Sequence, residues 1–179
     1  MEDWNVVVTV REHVYKQALE FLQVFGAVAR TEYCNVLTLR VADPGSFAAL
    51  LQDALTQHPV LEDVLARVVP VEHTFVFQSP AEFERKACEA LGGWIGRLGG
   101  HSFHVRMHRR GFKDRLGSQA EEQFLDHWLI EQVQTTGSNA LITFEDPDDI
   151  IAVETVGQRA GASIWDRHDR ARYTFLGLD

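Results

Sequence analysis

From residue 102 the chain alternates. In SFHVRMHRRGFKDRLGS (102–118), Phe103, Val105 and Met107 share one register and Ser102, His104, Arg106 and His108 the other. That is the period of a strand with one face on a core. Upstream, WNVVVTV (4–10) reads as a short apolar strand. VYKQALEFLQVFG (14–26) places Val14, Ala18, Leu22 and Phe25 on one helical face, with Gly26 as a stop. VARTEYCNVLTLRV (28–41) is rich in β-branched residues and is either one long strand or two antiparallel strands turning at Tyr33-Cys34-Asn35. DPGSFAALLQDALTQHP (43–59) opens with a cap and continues at helical spacing. LARVVPVEHTFVFQ (65–78) is extended, with Pro70 marking an edge or a break. The order β-α-β-β-α-β is the ferredoxin-like arrangement, so residues 1–78 form one expected α+β domain.

A second unit is expected over 79–179. Ser79, Pro80 and Glu82 form a helix-start signal, followed by an apolar stripe of Phe83, Ala87, Ala90, Leu91 and Trp94. After the alternating strand, GSQAEEQFLDHWLIEQVQTTG (117–137) reads as a helix capped by Ser118 with Glu121, burying Phe124, Trp128, Leu129 and Val133. NALITFEDPDDIIAVETVG (139–157) reads as strand, acidic turn, strand. GASIWDRHDRARYTFLGLD (161–179) reads as a final hairpin turning at Asp166–Arg170. Trp94, Phe103, Val105, Phe124, Trp128, Ile142 and Val153 are the expected core of this unit.

Charge sharpens the picture at one place. The formal net charge is −9, yet residues 101–116 carry Arg106, Arg109, Arg110, Lys113 and Arg115 against Asp114 alone. Residues 1–100 carry eight basic and thirteen acidic side chains. Local potential, not net charge, governs phosphate binding. The run is therefore either a phosphate-contacting surface or a solvated basic face. Arginine forks suit bidentate hydrogen bonds to phosphate, and the helix starting at Ser118 adds free N–H groups, with Glu121 and Glu122 in competition. Arg106, His108 and Arg110 fall on one strand face. Arg109 points the other way, where Glu145 or Asp146 could pair with it.

Other chemistry is weaker. His101, His104 and His108 do not have metal-ligand spacing on a strand, and the two cysteines, Cys34 and Cys88, belong to no paired metal motif. They are expected as reduced, core-leaning thiols, and the histidines as surface groups or phosphate contacts. The acidic stretch Glu145–Asp149 surrounds Pro147. It reads as a turn capping backbone amides, as a divalent-ion site, or as a partner for the basic strand. No serine-nucleophile, zinc-protease or phosphate-loop motif is present. Neither a basic signal-peptide flank nor an apolar run long enough to span a bilayer occurs. A cytoplasmic chain without membrane contact is the expectation, with no cofactor, metal or catalytic residue assigned.

The stretch FHVRMHRRG (103–111), a capped helix, and then NALITFEDPDDIIAVE (139–154) resemble a THUMP domain, an RNA-binding module of tRNA-modifying proteins. Phe103, Val105, Arg106, Arg109, Arg110 and Gly111 fit its strand pattern. Pro147-Asp148, Ile150-Ile151 and Val153-Glu154 fit its strand–turn–strand pattern. The resemblance implies an α+β chain with a ferredoxin-like domain followed by a THUMP-like α/β domain. It implies recognition of the 3′ acceptor end of tRNA rather than DNA, through Arg106, His108, Arg109, Arg110, Lys113, Arg115 and the amides near Ser118. It also implies a non-catalytic role beside a tRNA-modifying enzyme such as an acetyltransferase. Two other classes stay open: a protein-interaction adaptor that does not touch RNA, and a small metal-dependent hydrolase using the 145–149 turn.

Overall fold

The computed structural model describes residues 3–178. It divides into two units: residues 1–72 with 170–179, and residues 73–169. The first holds β1 (Val6–Val10), α1 (Tyr15–Leu22), β2 (Ala27–Arg30), β3 (Val36–Arg40), α2 (Pro44–Gln57) and β4 (Leu65–Pro70). Its sheet has the order β2-β3-β1-β4, antiparallel throughout, which is the ferredoxin-like arrangement. The turn between β2 and β3 lies at Tyr33–Asn35. Asn35 has φ 57°, and the Thr31 hydroxyl donates to the Val36 carbonyl at 2.9 Å, so two strands form rather than one. Gly26 does not end α1; it lets the chain enter β2, because a Cβ there would lie 2.3 Å from the Arg40 carbonyl oxygen. Cys34 is exposed in this turn, not core-leaning, and Cys88 is half-buried; both are free. Pro70 ends the edge strand β4 as expected. The chain's last residues run beside that strand, with Val68 N–H donating to the Phe175 carbonyl at 2.8 Å.

The second unit holds β5 (His73–Val76), α3 (Pro80–Leu91), α4 (Ile95–Leu98), β6 (Ser102–His108), α5 (Ser118–Thr135), β7 (Leu141–Ile142), β8 (Asp149–Val156) and β9 (Arg159–Asp166). A short helix α6 (Arg167–Arg172) follows. The sheet order is β5-β9-β8-β6-β7; β6 is parallel to both β7 and β8, and β9 is antiparallel to β8 and β5. Two sequence expectations differ here. The division falls at 72/73, not 78/79, because β5 pairs with β9, His73 opposite Ala162. The hairpin is β8–β9, turning at Gly157 (φ 61°), and Arg167–Arg172 is helix, capped by Asp166 accepting from Asp169 N–H at 2.8 Å.

Phe103, Val105 and Met107 point into the core with Phe77, Phe83, Leu91, Trp94, Leu125, Leu129, Val133, Ile151 and Val153. Phe124 is not part of it: the ring is 38% exposed, Leu125 takes the inward position, and Trp128 and Ile142 are only partly buried. The register of α5 is set by β6 as well as by oil. Past Phe103, β6 has no further pairing with β7, so its outward N–H groups need acceptors. Asp126 takes Val105 N–H at 2.7 Å and Glu122 takes Met107 N–H at 2.6 Å. These two side chains, one helical turn apart, act as a substitute strand.

Burial raises the Asp126 carboxyl to about 7, against the opposing hydrogen bond from Val105. Burial, with the Glu84 charge nearby, raises Glu121 to about 7 as well. A raised carboxyl binds a proton more readily in the folded chain. It therefore favours folding below the unfolded value, roughly pH 4, and that gain is lost as pH climbs to about 7. Asp126→Asn keeps the acceptor and cannot ionise. In urea titrations its stability relative to wild type should be higher at pH 8 than at pH 5; an equal difference at both pH values would contradict the assignment. Leu129→Ala should cost about 2–5 kcal/mol, whereas exposed Phe124→Ala should cost less than about 1 kcal/mol.

Candidate nucleic-acid interface

Strand β6 and the segment after it carry the sequence-predicted residues, and β8 holds the strand at both ends. At the start, Asp149 is fully buried and gathers two side chains. Its Oδ1 accepts from Arg97 Nη2 at 2.6 Å and Nε at 3.0 Å, and its Oδ2 from His101 Nδ1 at 2.7 Å. Asp148 accepts from Ser102 N–H at 2.7 Å and its hydroxyl at 2.8 Å, and these bonds, with Arg167, hold its carboxyl below the usual range. Arg167 also bonds Asp148 Oδ1 and, at 3.0 Å, Asp146 Oδ2. Three of the four acids of the turn are thus tied to Arg97, His101, Ser102 and Arg167. None is paired with Arg109. Among the described residues, no three His, Cys, Asp or Glu side chains are grouped as metal ligands.

At the far end of β6, Glu154 is fully buried. Arg110 donates to its Oε2 at 2.6 Å with a side chain 13% exposed, and His108 Nδ1 lies 3.9 Å from Oε1. The Arg110 backbone is clasped too: its N–H donates to Thr155 Oγ1 at 2.9 Å and its carbonyl accepts from Gly157 N–H at 2.9 Å. Arg110 is therefore a fixed post. The chain then turns through Gly111 (φ 97°), Phe112 (φ 51°) and Asp114 (φ 63°). Phe112 anchors the loop against Phe77, ring centroids 4.9 Å apart, and Leu116 is buried. Between these anchors Lys113 and Arg115 are exposed, and the Arg115 guanidinium lies over the Phe112 ring at 4.9 Å. Arg109, partly buried, donates to the Gly111 carbonyl. Arg106, also partly buried, forms no ion pair among the described residues.

Helix α5 begins differently from the expected cap. Gly117 is the N-cap, no side chain caps the helix, and Ser118 is its first residue. Glu122 is turned to Met107 rather than to the helix end. Arg159 was not visible as part of this region. The β8–β9 hairpin brings it to the same end of the sheet as Glu154, where its Nη2 donates to Thr74 Oγ1 at 2.7 Å. Its signal in the sequence is Gly157, a turn glycine two positions earlier.

These roles predict different costs. Arg110→Ala leaves a buried Glu154 without its guanidinium and should destabilise the protein by about 3–5 kcal/mol. Lys113→Ala should stay within about 0.5 kcal/mol of wild type. Denaturant titration distinguishes them; equal, small losses would place Arg110 among the solvent-facing cations.

No family model and no curated protein matches the chain. Solved structures do. The chain is similar to PH1313 from Pyrococcus horikoshii Ot3, with a TM-score of 0.58 and 13% identity over 90% of this chain and 54% of that one. It is similar to TrmN from Thermus thermophilus, with a TM-score of 0.57 and 16% identity over 90% of this chain and 44% of that one. A 4-thiouridine synthetase, solved as an RNA complex with bound ATP, gives a TM-score of 0.55 and 10% identity over 92% of this chain and 42% of that one. The chain spans about half the length of these proteins or less. At such identities the likeness is one of fold: a mixed α+β chain with a THUMP-like α/β second unit.

Proposed function

We propose that this chain is a non-catalytic RNA-binding protein that recognises the 3′ acceptor end of tRNA and assists a tRNA-modifying enzyme. The observation that carries the reading is the loop 109–117. Partly buried Phe112, packed on Phe77, and buried Leu116 hold Lys113 and Arg115 outward at the end of a strand that also carries Arg106. A chain of net charge −9 concentrates cations here, on a fold shared with a synthetase solved in complex with RNA. Such a loop binds phosphate oxygens without reading bases, and its affinity is electrostatic.

The absence of a catalytic role is supported by the acidic turn. Asp146, Asp148 and Asp149 are already engaged by Arg167, Ser102, Arg97 and His101. Carboxylates used this way hold the strand rather than activate water. An enzyme acting on tRNA would supply the chemistry, and this chain the grip on the acceptor end.

Titration with whole tRNA, and with tRNA trimmed of its 3′ end, tests the reading. Whole tRNA should bind tighter than trimmed tRNA. Lys113→Ala with Arg115→Ala should weaken binding to both about tenfold without lowering the thermal midpoint. Absence of tRNA binding, or equal binding by wild type and the double variant, would overturn it and favour an adaptor that does not touch RNA.

A further inference from the structure

Phe144 is a large aromatic side chain left 69% exposed on a rigid frame. The backbone on either side is tied: Thr143 N–H donates to the Phe103 carbonyl at 3.2 Å, and Glu145 N–H to Thr143 Oγ1 at 3.3 Å. Beneath the ring lies His104, centroids 5.1 Å apart at an interplanar angle of 37°. His104 is itself buried, and its Nδ1 lies 2.9 Å from the Thr143 carbonyl. A carbonyl can only accept, so Nδ1 carries the proton and the imidazole plane is fixed. Of the acids that follow, Asp146 and Asp148 are held by Arg167, which leaves exposed Glu145 as the one without an ion pair among the described residues. Phe144 is thus presented to solvent by a braced platform, although it adds little to the core.

We propose that Phe144, backed by His104, is a stacking platform for an unpaired nucleobase. This inference rests on the RNA-binding reading and adds to it a contact that phosphate-directed cations cannot make. The placement argues for a base rather than an apolar peptide. Along β6, His104, Arg106 and His108 share one face, with successive members about 7 Å apart. The platform therefore lies at one end of a line that passes Arg106 and reaches the loop bearing Lys113 and Arg115. Aromatic rings interleaved with a cationic track are how single-stranded nucleic acid is held, since every base offers a π-face while the phosphates meet the cations. The sequence run 102–118 has no Tyr or Trp to serve this purpose. The ring is supplied from residue 144, through the parallel pairing of β7 with β6.

The test uses two probes of equal length at low salt: single-stranded oligoadenylate, and an abasic ribose–phosphate oligomer with the same phosphates and no bases. Wild type should bind oligoadenylate roughly tenfold tighter than the abasic oligomer. Phe144→Ala should erase that difference and leave abasic binding and the thermal midpoint unchanged, and Phe144→Trp should restore it. Lys113→Ala with Arg115→Ala should weaken both probes in parallel. If wild type distinguishes the probes but Phe144→Ala does so equally, or if wild type binds both alike, the platform is overturned while the phosphate-binding loop stands. Failure of wild type to bind either probe would overturn the RNA-binding reading and the platform with it.

Discussion

A carboxylate removed from water must be compensated, and β8 carries one at each end. Asp149 and Glu154 are both fully buried, and they sit opposite Phe103 and His108, the first and last residues in the parallel pairing of β6 with β8. Their partners come from the segments flanking β6: Arg97 and His101 before it, Arg110 after it. A slip of the ladder by one residue would separate both sets of charges and invert the faces of β6. Buried ion pairs contribute little to net stability, and here their geometry specifies register. On the other side of the strand, Asp126 and Glu122 take the N–H groups that β7 does not reach. Part of the chain's acidic excess is thus a frame around one strand.

That frame decides which cations remain for a ligand. Arg97, Arg110 and Arg167 are spent on Asp149, Glu154, Asp146 and Asp148. Lys113 and Arg115 remain exposed on a loop with apolar feet, and Arg106 lies on the strand face without an ion pair among the described residues. A net charge of −9 and a phosphate-binding surface are compatible because local potential governs phosphate binding, and Asp114 is the one acid among the cations of residues 101–116.

Much of this was legible from the sequence where a local rule acts. The two-residue period put Phe103, Val105 and Met107 in the core, and Ser79 caps α3, accepting from Glu82 N–H at 3.2 Å. The β-α-β-β-α-β order of the first unit was equally plain. In α5, hydrophobicity alone could not choose between Phe124-Trp128 and Leu125-Leu129, two apolar stripes one position apart. The edge of β6 makes the choice, since Glu122 and Asp126 must face it. Arg109 and Arg110 are adjacent and chemically alike; only the position of Glu154, across the sheet, makes one structural. The pairing of β5 with β9 and the arrival of Arg159 and Phe144 depend on contacts between residues distant in sequence, which no local pattern encodes.

The most direct test of the division between framing and ligand-facing cations is the salt dependence of tRNA binding. Each phosphate contact contributes about 0.7–0.9 to the slope of log affinity against log salt. Wild type should show a slope of about −2 to −3, as expected from Arg106, Lys113 and Arg115. A variant lacking all three should show a slope near zero with its thermal midpoint retained. An unchanged slope in that variant, with the fold intact, would contradict the account and move the RNA-facing surface elsewhere on the chain.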